Sequence, residues 1–301
     1  MSAQLYIDGA PLEDLGVILA PDSYKSLLQF PALKSVKTND WAEHDYIEAD
    51  LHNPTLSKRT VTLNFHANGL DGYERFMAHL ETKANFEWNF ADLGVFIVLR
   101  VDSNSLKHTS EKWQSFSISF YDDEPYSPNS LLVPQWHLGG GGITLDDEGL
   151  DKFGVYVLDG TTDKIRQQGK VKQRLTIDDN SENGAVYDGG GTIQIASNEI
   201  SVKCLIRAAS MPVCVRNYYT LLNRIVAPEL RCLFVGSLSE MIDCYYKSAT
   251  CEDVCLKLNS GNAGIAFTLT FTVVNRYSMA VLSDDEAEFV LTTDGGTPLT
   301  K

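Results

Sequence analysis

The first 200 residues of this 301-residue chain contain no cysteine; Cys204, Cys214, Cys232, Cys244, Cys251 and Cys255 all follow later. A disulfide framework spanning the whole chain is therefore excluded, and free, mostly buried thiols in a protein folded in a reducing cytoplasm are expected. No run of 18 apolar residues exists, so no membrane-spanning helix and no membrane partner are expected. The opening MSAQLYIDGAPLEDLG lacks the basic stretch and apolar core of a secretory signal. Positive charge is scarce: 25 Lys and Arg face 40 Asp and Glu, a net charge of −15. The deficit is shared, with 19 acidic and 10 basic residues in 1–142 and the other 21 and 15 after it, so no segment offers a basic footprint for nucleic acid. Proline is sparse at 10, and with 44% hydrophobic and 22% charged residues the composition is that of a folded globular protein. The length suits one large domain or two ordinary ones.

Chemical motifs are scarce as well. The run Gly139, Gly140, Gly141, Gly142 in WHLGGGGITLDD is not followed by the Lys-Ser/Thr pair of a phosphate loop, and the acids after it would repel a phosphate. YDGGGT at 187–192 has the composition of a hairpin tip, where glycine supplies positive φ. Cys251 and Cys255 have no second pair at zinc-finger spacing, and the six histidines form no HExxH pattern. DWAEHDYIEAD at 40–50 gathers five acids and a histidine, a set that could serve calcium or acid/base chemistry, but without the glycine punctuation of a calcium loop it fits a solvated hairpin tip better. No Gly-x-Ser-x-Gly elbow occurs. No catalytic residue, metal or cofactor is expected, and the protein is not expected to be an enzyme.

What the chain does contain is a repeat. LEDLGV at 12–17 and LDKFGV at 150–155 share Leu, Gly and Val. The alternating Val61, Leu63, Phe65, Ala67 matches Val202, Cys204, Ile206, Ala208, and the helical spacing of Tyr73, Phe76, Met77, Leu80 matches Val215, Tyr218, Tyr219, Leu222. FSISF at 116–120 matches FTLTF at 267–271. Apolar letters alternating with Ser or Thr are what a strand with one buried face requires. The expected fold is mainly β, in the broad sense α+β: two tandem β-sandwich or barrel domains, each with one flanking helix. The expected boundaries are 1–133 for the first domain, 134–144 for a glycine-rich linker, 145–278 for the second domain and 279–301 for an acidic tail or edge strand. Each copy also carries a long polar excursion, about 34–58 and 170–198, expected to be an extended hairpin.

In LYIDGAPLEDLGV, NDWAEHDYIEADLHNPTLSKRTVTLNFHA, YERFMAHLETK and WQSFSISFYDDEP the order of elements resembles the phage tail-tube superfamily of tube, distal-tail and baseplate-hub proteins. The second copy departs from it most at DNSENGAVYDGGGT. The resemblance implies a ring around a DNA channel in a virion tail assembled in the bacterial cytoplasm, built by self-association of three chains (pseudo-hexameric) or six, and contacting neighbouring tail proteins. DNA would pass without specific binding, for which an acidic lining is suited. The excursions are the expected assembly elements, with Asp40, Trp41, Glu43, Asp45, Tyr46 and Tyr187 as candidate contact residues and Gly139 to Gly142 as a hinge. A tandem carbohydrate-binding module, drawing on the 13 tyrosines and the acidity, is the alternative.

Overall fold

Each alternating apolar run of the sequence is a strand, and the described strands make two large sheets of one plan and two small two-stranded ones. A computed structural model describes residues 5–20, 22–108, 113–125, 133–135, 139–140, 142–173, 176–178, 183–187, 192–257 and 262–278. The expected tail, 279–301, lies outside the described residues. In the first half, β1 (Leu5–Ile7), β2 (Ala10–Pro11), β3 (Val17–Leu19), α1 (Ser23–Leu28), β4 (Thr38–Asn39), β5 (Glu48–Ala49), β6 (Arg59–Asn68), α2 (Gly69–Leu80), β7 (Asn85–Phe90), β8 (Val95–His108) and β9 (Trp113–Asp122) follow one another. The second half repeats them as β10 (Ile143–Leu145), β11 (Glu148–Gly149), β12 (Val155–Val157), α3 (Thr161–Arg166), β13 (Thr176–Asp178), β14 (Ala185–Tyr187), β15 (Glu199–Ala208), α4 (Met211–Ile225), β16 (Arg231–Val235), β17 (Glu240–Cys255) and β18 (Ala263–Ser278).

Both large sheets have seven strands, ordered β2-β1-β7-β8-β9-β6-β3 and β11-β10-β16-β17-β18-β15-β12, the same order element for element; the small ones are β4-β5 and β13-β14. The fold is mainly β, in curled antiparallel sheets. Two features of each half exceed the sequence expectation. A second, six-residue helix (α1, α3) precedes each excursion, and β8 and β17 run to 14 and 16 residues, far past the apolar stretches that announced them.

Register corrects one alignment made from sequence. Phe65 pairs with Phe116 and Leu63 with Ile118, whereas Cys204 pairs with Phe267 and Val202 with Leu269. Because FSISF and FTLTF are equivalent, Phe65 corresponds to Cys204, and Val61 to Ile200 rather than to Val202. The slip is two residues, which keeps every side chain on its own face and so left the hydrophobic pattern intact. Two backbone bonds agree: Asn68 N–H donates to Gly16 O (3.0 Å), and Arg207 N–H to Gly154 O (2.9 Å).

The core of the first half is aromatic. Phe65 stacks on Phe116 at 5.4 Å and meets Phe76 of α2 at 5.1 Å, and Trp88 stands edge-on to Phe120 at 5.3 Å. In the second half Cys204 occupies the place of Phe65, and Tyr218 of α4 stands edge-on to Phe267 at 4.9 Å. Helix α2 sits close because Gly72 faces Gly16: a Cβ on Gly72 would lie 2.6 Å from Gly16 O. Gly16 in turn needs its φ of 78° to end the 3-10 turn Leu12–Leu15. Among the described residues no helix is long and apolar enough to cross a membrane.

The six cysteines are unpaired, with Cys204, Cys214, Cys244 and Cys251 buried. Burial pushes the thiols of Cys204, Cys214 and Cys251 up to about 12 and holds Cys244 well above its ordinary value. The thiolate is the reactive form. Burial, with Asp243, Asp146 and Asp147 nearby, also raises the half-buried Cys232 thiol. Ellman's reagent at pH 8 is therefore expected to modify the half-buried Cys255 first, Cys232 more slowly, and all six only after denaturation; rapid native reaction of more than two would contradict this packing.

Candidate functional site

The most elaborate site in the molecule joins one sheet to the other. Strand β16 pairs with β17 only from Glu240 to Cys244, so the edge of β17 from Tyr245 to Cys255 runs on beyond it. An uncovered edge presents a row of unpaired backbone groups. The residues entering the first excursion lie along it. Leu33 N–H donates to Lys247 O (2.9 Å). Cys251 N–H donates to Gln29 Oε1 (3.0 Å), and Gln29 Nε2 donates to Ala249 O. The Gln29 amide thus mimics a short piece of strand. Lys247 lies at a register shift between Tyr246 and Ser248, and such a bulge frees backbone groups of the bulged strand from the ladder.

Phe30 anchors the contact. It is 1% exposed, 5.9 Å from Tyr246 at 73° and 6.3 Å from Tyr219 of α4. Tyr246 Oη, otherwise a buried donor, donates to Pro31 O (2.9 Å). Burial raises the Tyr246 phenol above its ordinary range, which keeps it protonated and donating.

The root of the arm is held by charge. Arg59, at the start of β6, donates through Nε to Asp122 Oδ2 (2.7 Å) and through Nη1 to Leu27 O (2.7 Å) and Gln29 O (2.8 Å). Both partners of the ion pair are buried, with side chains 5% and 3% exposed. Burial opposes the guanidinium charge, but Tyr219 and Asp122 favour it, and the balance lies above the ordinary arginine value. One side chain therefore ties β6, β9 and the end of α1 to the strand leaving for the second sheet.

The tip of the first arm lies against the second excursion. Tyr46 N–H donates to Ile195 O (2.7 Å), and Ile195 N–H donates to Asp45 Oδ1 (2.5 Å). Lys172 donates to Asp40, to Trp41 O (2.9 Å) and to Tyr46 O (2.6 Å), and its side chain is only 7% exposed. Of the residues picked from sequence, Asp40, Asp45, Tyr46 and the backbone of Trp41 meet here; Tyr46 is 8% exposed with φ 56°. Trp41 is 51% exposed and its indole N–H reaches Glu48 Oε2 at 3.4 Å, and Glu43 is exposed. Tyr187 stands apart in β14, opposite Thr176. A cleft of about 430 Å³ opens beside this tip, bordered by Trp41, Tyr46, Asp243 and Tyr277. Burial raises the Asp243 carboxyl above its ordinary value, opposed by a hydrogen bond from Tyr277. Among the described residues no group of three or more His, Cys, Asp or Glu is placed to hold a metal.

Gln29, Phe30, Arg59, Lys172 and Ile195 carry the contact and were not picked from sequence. Gln29 and Gln167, like Lys34 and Lys172, recur 138 residues apart and offered a signal.

Two glycines of the run expected as a hinge, Gly139 and Gly140, lie against the second sheet. Gly140 N–H donates to Val155 O (2.9 Å), Val157 N–H donates to Gly140 O (3.0 Å), and Gly140 bridges Tyr156 in parallel. A Cβ on Gly139 would fall 2.4 Å from Asp151 Cα. Upstream, Asn217 of α4 holds Val133 by both its N–H (2.9 Å) and its carbonyl (2.7 Å). These glycines are small because a backbone passes close to them, and the segment lies along β12 of the second sheet. Gly142 (φ 66°) keeps the left-handed conformation that favours glycine, and Gly141 lies outside the described residues.

Removing one partner of a buried ion pair leaves the other uncompensated, a loss of about 3–5 kcal/mol. Arg59→Met is expected to destabilise the chain by that order in urea unfolding, and Arg59→Met with Asp122→Leu to recover much of it. Equal losses in the single and double variants would show that the arm root does not depend on this pair.

A scan against protein-family models and a search of curated proteins each returned no match. Among solved structures the chain is similar to Dit (gp 19.1) of SPP1, described as a paradigm of the hub adsorption apparatus in phages infecting Gram-positive bacteria. The likeness has a TM-score of 0.32 and 10% sequence identity, and covers 92% of this chain and 100% of that chain.

Proposed function

We propose that the chain is a structural, non-enzymatic protein of a phage tail that self-associates into a ring around a DNA channel and stacks on neighbouring tail proteins. The observation that carries this reading is the contact just described: one copy of a unit docks its arm on a second copy of the same unit, and the two surfaces are different. Such a head-to-tail contact does not satisfy itself as a twofold one does. Repeated with rotation, it closes into a ring. The overhanging strand edges support the same reading, since an edge covered by a neighbour's arm is protected by assembly.

Charge fits the conduit. A net of −15 gives a surface that repels phosphate, so DNA in a lumen would meet no adhesive wall. The order of elements in the sequence, which resembles the tail-tube superfamily, supplies the assignment to a tail. Domain limits near 133 and 145 go with this reading, as each sheet has its own strands on one side of that segment.

The expected outcome of light scattering on the purified chain at increasing concentration is a mass of three or six copies, with closed rings bearing a central hole in negative-stain images. A monomer at every concentration, with no rings, would sink the proposal. A monomer that binds glycans saturably on an array would instead favour the carbohydrate-binding alternative.

A further inference from the structure

The second arm repeats the bonding groups of the first, and among the described residues its Gln167 side-chain amide and Val171 N–H have no partner. Register fixes the equivalence. Lys34 N–H donates to Thr55 O (2.8 Å) and Ser57 N–H to Ala32 O (2.9 Å); Lys172 N–H donates to Gln194 O (2.8 Å) and Ala196 N–H to Lys170 O (2.7 Å). Val171 thus stands where Leu33 stands, and Ile195 where Leu56 stands, as their matching bridges also require. Gln167 then matches Gln29 at the end of the short helix, Lys172 matches Lys34, and Asp178 of β13 matches Asp40 just after β4. The root is matched too: Asn198 Nδ2 donates to Gln167 O (2.8 Å), as Arg59 does to Gln29 O.

In this antiparallel register the amides of Leu33 and Val171 face away from their own partner strands. That of Leu33 bonds Lys247 O, while Val171 is 62% exposed and Gln167 is exposed. An acceptor with no partner among the described residues matches them. Strand β7 pairs with β8 only from Val95 to Arg100, and Val101 N–H still donates to Ala84 O (3.3 Å), so it is the backbone from Asp102 to His108 that overhangs as β17 does. The bulge recurs in place: the register shift between Val101 and Ser103 opposes Phe120, and that between Tyr246 and Ser248 opposes Phe271. Asp102 therefore sits where Lys247 offers its carbonyl. The exposed Lys34 likewise sits where Lys172 is enclosed by three oxygens of an arm tip.

We propose that Gln167–Lys172 of one copy docks along the β8 overhang of the next copy's first sheet, with Val171 N–H donating at Asp102 O and the next copy's Lys34 receiving the tip at Asp178. The contact made once inside each chain is then made again between chains. This rests on the ring reading and sharpens it: both sheets of every chain enter the ring, and three chains give six quasi-equivalent positions. The two contacts differ in one respect. Phe30–Pro31 of the first arm is Gln168–Gly169 in the second, and the socket residue Tyr246 is Val101. The contact between chains is the more polar, as suits surfaces that are wet until they meet.

The test is a charge swap in the full chain, followed by analytical ultracentrifugation and native mass spectrometry. Lys34→Asp and Asp178→Lys are each expected to weaken self-association by about tenfold or more, a size typical of a close interfacial charge pair, with thermal unfolding unchanged. The double variant is expected to restore association to within a few-fold of the parent, which a merely structural role for either residue would not produce. If the parent forms rings and both single variants form them equally well, this contact is overturned while the ring reading stands. If the parent is monomeric at every concentration, both fall.

Discussion

The buried pair of Arg59 and Asp122 is the constraint on which the joint between the sheets depends. A guanidinium in the interior has to have its donors satisfied or it destabilises the fold. Here two of its acceptors are the carbonyls of Leu27 and Gln29, at the point where the chain turns out of α1 toward the other sheet. The ion pair therefore fixes the direction in which the arm leaves, and Gln29 and Phe30 arrive at β17 already oriented. In the second half the same backbone carbonyl, at Gln167, is held by the neutral Asn198 and by Arg276 at 3.0 Å. A guanidinium thus reaches this carbonyl in both halves, from β6 in the first and from β18 in the second, where Arg276 is paired with Glu240.

The duplication shows which parts of the unit its geometry requires. Left-handed Gly16 and Gly154, the bulges of β8 and β17, and the aspartates of the first hairpin turns all recur. Asp8 (φ 51°) accepts from Glu87 N–H at 3.0 Å, and Asp146 (φ 49°) accepts from Cys232 N–H at 2.9 Å. Core side chains were free to differ, as Cys204 at the place of Phe65 shows. Backbone conformations recur and side chains differ, as expected when packing density can be kept by different side chains.

Much of this was legible in the sequence, and the failures have physical causes. Strict alternation marked β6, β9, β15 and β18, and the 3.6-residue period marked α2 and α4, because each of these buries one face. The overhanging halves of β8 and β17 were missed: their side chains mix Ser, Asn, Asp and Lys, since much of their stabilisation comes from backbone pairing with β9 and β18. Helices α1 and α3 were missed because six residues are too few to display a period. The acidic, aromatic tip drew attention to Asp40 and Tyr46, which do make contact, but Gln29 and Lys172 were passed over because neither residue type announces an interface alone. The glycine run has a second property beside flexibility. Flexibility is what glycine permits in isolation, whereas at Gly139 and Gly140 it is the absence of a side chain that lets the backbone lie against β12.

The position of Phe30 in the chain has a consequence for biosynthesis. Its aromatic partners, Tyr219 and Tyr246, lie roughly two hundred residues downstream. At about 5–20 residues per second of translation, this ring and its strand-like arm wait on the order of ten to forty seconds uncovered. During that interval the nascent first half carries a ready-made sticky edge, and on a crowded polysome the nearest surface resembling β17 is the β8 of a neighbouring nascent chain. The Val101 that replaces Tyr246 there denies Phe30 its aromatic socket, so the first arm has reason to wait for its own second half.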